Sequence, residues 1–355
     1  MISLLARARG QRPSTDNPKR INLALQGGGA YGAFTWGVLE HLLEDGRLAF
    51  EGISGTSAGA VNAVMLADGL RRGGPDEARK RLAEFWSAAS LGGELPPLQR
   101  AVLNRLFSLI PEDGPTFNWL TAWSRYLSPY DLNPLNINPL KDLIERFVDF
   151  EGLRADTRAL FIGATNVQTG RLHVFTREKI SAEAVMASAC LPAIFRAVEI
   201  DGVPYWDGGY LGNPVLFPFF RSTETEDVLI VQINPLVRKK VPRSTREIMA
   251  RVNEITFNAS LQSELRAIEF VDRLIEQGRL PQGTGPNQYR HIRVHRIVLE
   301  GLGERFSAAA KLRNDLKSFE LLRKLGQRAA RRFLDSHYED VGVRGSVDLK
   351  AELAG

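Results

Sequence analysis

Cysteine is almost absent from this chain. Cys190 is the only one in 355 residues, so no intrachain disulfide can form. That fits a reducing compartment, and the expected location is cytoplasmic. Cys190 itself sits in the apolar run Ala187-Ser188-Ala189-Cys190-Leu191-Pro192 and reads as a buried, inert thiol. Histidine is scarce, five in all, and no cysteine–histidine cluster of the zinc-holding kind occurs. No apolar run approaches the ~18 residues needed to cross a bilayer. The first twenty residues carry Arg7, Arg9, Arg12, Lys19 and Arg20 behind an apolar start too short for a secretory segment. They read as a basic, disordered leader. Internal repeats and clear linkers are also missing.

Composition is otherwise that of a globular protein, 44% hydrophobic and 25% charged. The formal net charge of +5 suits an anionic membrane surface. Its Lys and Arg residues are spread out and form no nucleic-acid-binding signature, so no nucleic-acid partner is expected. Oligomeric state is not legible.

Against these absences, glycine is concentrated in three places. Phe50 to Ser54 reads as a strand and Ala58 to Leu70 as a helix. Between them stands Gly55-Thr56-Ser57-Ala58-Gly59, a G-x-S-x-G pattern. A serine on such a turn has its hydroxyl pushed into the open, and the following helix N-terminus favours negative charge beside it. Upstream, the strand Ile21–Leu25 runs into Gln26-Gly27-Gly28-Gly29-Ala30-Tyr31-Gly32 and then a helix, Ala33 to Leu43. A glycine run there exposes backbone N–H groups that can bind an oxyanion. Downstream, Val198 to Trp206 reads as a hairpin turning at Asp201-Gly202, and it delivers Asp207-Gly208-Gly209. A carboxylate at a strand end beside two glycines is open to a pocket.

Taken together, the three segments resemble the patatin-like phospholipase family over about residues 21 to 220. The resemblance implies a patatin-like three-layer α/β core, with a mostly parallel sheet and a helical C-terminal extension. It implies a serine-dependent lipid acyl hydrolase without cofactor or metal. Ser57 would be the nucleophile and Asp207 its partner in a Ser–Asp dyad. Gly28 and Gly29 would form the oxyanion hole, with Gly27, Gly32, Gly55, Gly59, Gly208 and Gly209 shaping the three turns. The expected partners are a lipid substrate and, transiently, a membrane or lipid-droplet surface. One departure stands out: the family often carries Arg or Lys where this chain has Tyr31.

Three other chemistries compete. Gly27, Gly29 and Gly32 also fit G-x-G-x-x-G with Glu51 about twenty residues on, a dinucleotide-binding pattern. Glu51, however, stands before the second strand's apolar end. A Ser-His-Asp triad would need a histidine after the acid, and His291, His295 and His337 follow Asp207. His291 and His295 fall on one face of a strand candidate. His41 and His173 read as structural or surface residues. Asp201 with Asp207 could hold a metal, although an Asp beside Gly is usually only a turn. A non-catalytic lipid- or protein-binding module is the remaining alternative.

The rest of the chain reads as one domain. Residues 21–220 form the catalytic core. Residues 221–338 add strands Val228–Ile233 and Ile292–Val298 and helices Thr245–Gln277 and Ala308–Leu334. Residues 339–355 form a peripheral tail. The long helix carries an apolar repeat at Ile248, Val252, Ile255, Leu261, Leu265, Ile268, Val271 and Leu274. Residues 91 to 140 are broken by prolines and hold Trp119, Trp123, Tyr126 and Tyr130; the stretch reads either as a helical insertion packed on the core or as a lipid-facing cap over the site.

Overall fold

A computed structural model of the chain describes residues 17–90, 128–132, 136, 138–192, 194–285, 288–300 and 316–353. The expected leader lies almost wholly outside these residues, as do Trp119, Trp123 and Tyr126 of the expected insertion or cap.

Among the described residues, an eight-stranded sheet forms the centre. Its strands are β1 (Lys19–Leu25), β2 (Leu48–Gly55), β3 (Ala159–Asn166), β4 (Arg171–Thr176), β5 (Val198–Ile200), β6 (Val203–Asp207), β7 (Asp227–Gln232) and β8 (Arg293–Val298). They run in the order β5-β6-β3-β2-β1-β7-β8, with β4 also paired to β3. The pairs β2–β3, β1–β2, β1–β7 and β7–β8 are parallel; β4, β5 and β6 join antiparallel.

Side chains alternate between the two faces of the inner strands, and both faces are covered. Leu23, Leu25, Leu229 and Val231 enter one apolar cluster with Phe34, Trp36, Phe85, Trp86 and Phe319. Ala24, Val228 and Ile230 enter the other, with Leu261, Leu265 and Ile268. The first cluster is roofed by helices α1 (Gly32–Asp45), α2 (Ala58–Ala88) and, from the chain's far end, α5 (Leu316–His337). The second is roofed by α4 (Thr245–Glu276). A shorter helix, α3 (Ala182–Ser188), packs near the serine turn.

Helix α2 runs well past the Ala58-to-Leu70 helix read from the sequence, with a break at Gly73 and Gly74, whose dihedrals are non-helical, and Pro75 following. Helix α4 starts with a Ser244–Glu247 capping box. Its repeat is only half a core stripe: Leu261, Leu265 and Ile268 are buried, while Ile248, Val252 and Ile255 are exposed.

Three expectations change. Strand β1 begins at Lys19, two residues into the expected leader. Strand β8 begins at Arg293, so His291 precedes it. The tail after Tyr338 is partly built into the body. Val341 is buried, and Gly342 N–H donates to Asp227 Oδ1 at 2.9 Å. A buried carboxylate needs such donors, and sequence periodicity does not reveal that need.

Candidate active site

Strand β3 acts as a ruler for the site. Gly55, the last residue of β2, pairs with Ile162 of β3. Two residues further along β3, Ala164 pairs with Asp207, the last residue of β6. Strand β4 occupies the opposite edge of β3 over both stretches. Strands β2 and β6 therefore share one edge and end pointing at each other. The serine turn begins where β2 stops, and Asp207 stands across the gap.

Ser57 holds backbone angles φ 55° and ψ −123°, a region that non-glycine residues rarely occupy. The strain is held by its surroundings. Ser57 N–H donates to the buried Ser188 Oγ at 2.9 Å. Ala60 N–H and Val61 N–H both donate back to Ser57 C=O as α2 begins. Thr56 Oγ1 donates to Gly212 C=O at 2.6 Å. Two close approaches require glycine here. A Cβ on Gly27 would lie 2.7 Å from Ser57 Cβ, and one on Gly59 would lie 2.1 Å from Leu25 C=O. Gly55 backs onto Gly59, Gly32 onto Ala58 and Trp86, and Gly208 onto Gly163.

Asp207 is fully buried. Its backbone is fixed on both sides: its N–H donates to Cys190 C=O at 2.8 Å, and its C=O accepts from Thr165 Oγ1 at 2.8 Å. Oδ1 accepts Gly209 N–H at 2.7 Å. Oδ2 has no hydrogen-bond partner among the described residues. Burial drives the carboxyl up to about 7, against the lowering effects of the Gly209 N–H and the nearby Ser57 hydroxyl. Serine and aspartate thus face one another, and Oδ2 is left available.

The glycine loop is held from below by carboxamides. Asn213 Oδ1 accepts Gly27 N–H at 2.6 Å. Gly27 C=O accepts from Asn234 Nδ2 at 2.7 Å and Asn213 Nδ2 at 3.3 Å. Gln26 Oε1 accepts the N–H groups of Ile233 and Asn234, both at 2.8 Å, and its Nε2 donates to Asn258 Oδ1 at 2.9 Å. Gly27 is therefore spent on structure. Gly28 N–H and Gly29 N–H donate to no other group among the described residues. Sequence reading missed Ser188, Asn213, Asn234 and Asn258. Asn213, six residues past Asp207, was the one within reach of a local signal.

Tyr31 is largely buried. Burial raises its phenol, and the neighbouring Arg238 guanidinium lowers it. Arg238 Nε donates to Glu254 Oε2 at 3.1 Å. A guanidinium from the segment after β7 thus stands near the position where the family often has a cation.

The competing chemistries fare differently. Glu51 Oε2 accepts Thr225 N–H at 3.2 Å, and the residue sits four positions before the C-terminal end of β2. It fastens the approach to β7 and is not at the glycine loop. His295 is fully buried in β8, opposite Leu229, and its Nε2 lies 2.9 Å from Asp227 Oδ1. Three strand spacings separate β8 from β2, about 14 Å before the residues leading to Ser57 are counted. His291 lies within 3.9 Å of Asp272 and 3.8 Å of Glu276 at the same far edge. Asp201 is at the hairpin tip, 3.5 Å from Lys179, at the opposite end of β6 from Asp207. The Cys190 thiol is buried and pushed up to about 12, which removes it as a nucleophile at neutral pH.

Burial alone would raise the Asp227 carboxyl. Hydrogen bonds from His295 and Arg293 and the Gly342 N–H together hold it well below the usual carboxylate range. His295→Ala should therefore act on stability. Loss of a buried ring that partners a buried carboxylate should cost roughly 2–4 kcal/mol. Thermal melts should register that loss, while ester turnover per folded molecule stays within about threefold of wild type. A folded variant with abolished turnover would bring His295 into the chemistry.

A family model described as patatin-like phospholipase matches residues 23–220, more than half of the chain. No curated protein matches. Among solved structures, the chain is similar to VipD from Legionella pneumophila, at 18% identity and TM-score 0.39, over 90% of this chain and 67% of that one. It is also similar to ExoU of the Pseudomonas aeruginosa type III secretion system, solved as a heterodimeric complex with SpcU. There the identity is 19% and the TM-score 0.31, over 70% of this chain and 52% of that one. The chain thus spans about half of that ExoU chain.

Proposed function

Because this chain belongs to the patatin-like phospholipase family, a family of lipid acyl hydrolases, we propose that it cleaves carboxylic esters of phospholipids or related lipids through Ser57 and Asp207. The observation that carries the reading is the pairing of a strained, helix-backed serine with a buried carboxylate pushed up to about 7 whose Oδ2 is unpartnered.

In this reading the Ser57 hydroxyl proton passes to Asp207 Oδ2 as Ser57 Oγ bonds to the acyl carbon. The carbonyl oxygen becomes an oxyanion, which the free N–H groups of Gly28 and Gly29 stabilise. One such donor is worth roughly 3–4 kcal/mol in comparable sites. Collapse breaks the ester C–O bond, and the proton on Asp207 goes to the departing alcohol. Water then attacks the acyl-serine, giving its proton to Asp207, and the fatty acid leaves as Ser57 recovers its hydrogen.

A carboxylate near pKa 4 would be a feeble base at neutral pH. Burial removes that objection by bringing Asp207 toward the working pH. Its ionised form is the active one, so kcat/KM should rise with pH through about 7 and then level. The profile should be measured on a short-chain, water-soluble ester, so that interfacial effects stay out of it. A rate already flat at pH 5 would remove Asp207 as the titrating base. We also place the enzyme in the cytoplasm, working transiently at a membrane or lipid-droplet surface.

A further inference from the structure

The N-terminal half of α4 does not behave like a core helix. Residues 247–250 are all exposed, and the apolar repeat continues there without cover. Ile248, Val252 and Ile255 fall on one stripe, with Met249 beside it. The preceding segment adds Val237 and Val241. These six apolar residues are 44% to 81% exposed. Contiguous apolar surface of this kind on a soluble domain marks an interaction site.

Charge identifies the occupant. Residues 238–254 hold six Arg and Lys against Glu247 and Glu254, whereas the whole chain is only +5. The segment thus carries a local excess of four positive charges. Glu254 is paired with Arg238 and Arg251, and Glu247 is engaged in the helix cap. Lys239, Lys240 and Arg243 stay exposed beside Val237 and Val241. Apolar side chains that enter the acyl boundary, flanked by cations at headgroup level, are the pattern of an interfacial helix on an anionic bilayer.

The surface is fastened to the candidate site at both ends. Asn234, just before the basic segment, holds Gly27 C=O. Phe257 packs against Gly209, and Asn258 holds Gln26. Ten residues of helix separate Asn258 from Ile248, about 15 Å. The stripe thus belongs to the same helix that holds Gln26, the residue before the glycine loop.

We infer that the basic segment 237–243 and the exposed stripe of α4 form the surface by which this protein docks on anionic lipid bilayers. The inference rests on the lipid-hydrolase reading and supplies its interface. The test is sedimentation with phosphatidylcholine vesicles containing about 30 mol % phosphatidylserine, at low and high salt. Two variants of the full chain are compared with wild type, Lys239→Glu/Lys240→Glu/Arg243→Glu and Ile248→Ser/Met249→Ser/Val252→Ser. All substituted side chains are exposed, so native melting temperatures are expected. Wild type should bind, and more weakly as salt rises. Each variant should partition about 10-fold or more weakly. Turnover of a soluble short-chain ester should be unchanged. Folded variants that sediment like wild type would overturn the assignment, as would a wild type that ignores the vesicles. If instead both variants abolish a concentration-dependent dimer, the face belongs to a second copy and the assignment falls. If wild type binds as expected but turns over no ester, the surface stands and the hydrolase reading fails.

Discussion

Ser57→Ala is expected to lower ester turnover by at least about 10,000-fold and to abolish labelling by an active-site fluorophosphonate. The size of the effect follows from what the alternatives lack. Cys190 is buried with a thiol at about 12. Ser188 Oγ is already occupied by the Ser57 N–H. Ser54 lies within β2, fully buried. Among the described residues, no other hydroxyl is both presented on a strained turn and opposite a base. The fold should tolerate the change, because the Ser57 side chain makes none of the contacts that hold its turn; those come from its N–H, its C=O and the packing of Gly27. Melting temperature should therefore stay close to wild type, separating lost chemistry from lost structure. Labelling that persists in the alanine variant would place the nucleophile elsewhere.

Much of this was legible in the sequence, for a reason that can be located. Each of the three glycine segments is a local solution to a local demand: Gly27 and Gly59 have no room for a side chain, and Ser57 needs a strand before it and a helix after it. Local demands leave local signatures. What the sequence hid is what depends on partners far away in the chain. The ruler formed by β3 is invisible until β2 and β6 are seen on the same edge. Gly27 is fixed by Asn213 and Asn234, roughly two hundred residues downstream, and an asparagine alone does not announce what it will hold. Helices α1 and α5 meet where Gly37 lies against Arg323 C=O and Gly326 against Phe34 C=O, with Arg323 Nε bound to Glu40 at 2.6 Å. Neither glycine stood out among the chain's 32. Periodicity also misled in one direction. It identified α4 as a helix with an apolar face, but period says nothing about what covers that face. Half of it is core, and half is open.

Asp207→Asn should separate stability from activity, and in opposite directions. The amide cannot take a proton, so turnover should fall by at least about 100-fold, the lower end for loss of a general base. Stability should rise at alkaline pH, and the sign follows from linkage. The folded-state pKa of Asp207, about 7, lies above its unfolded value near 3.9. Between those values the folded protein binds the extra proton, so this group's contribution to stability falls as pH climbs from about 4 to about 7 and stays low above. At pH 8 the buried charge costs up to ~4 kcal/mol, less whatever relaxation or water entry recovers. Asparagine carries no charge and can still accept the Gly209 N–H through Oδ1. The variant should therefore melt several degrees higher than wild type at pH 8, with the difference shrinking toward zero near pH 4. Melts across that range, paired with turnover of a soluble ester, would check both halves. A variant less stable at pH 8 would mean that the carboxylate is better solvated or paired than its burial implies. The case for a base tuned by burial would then fail.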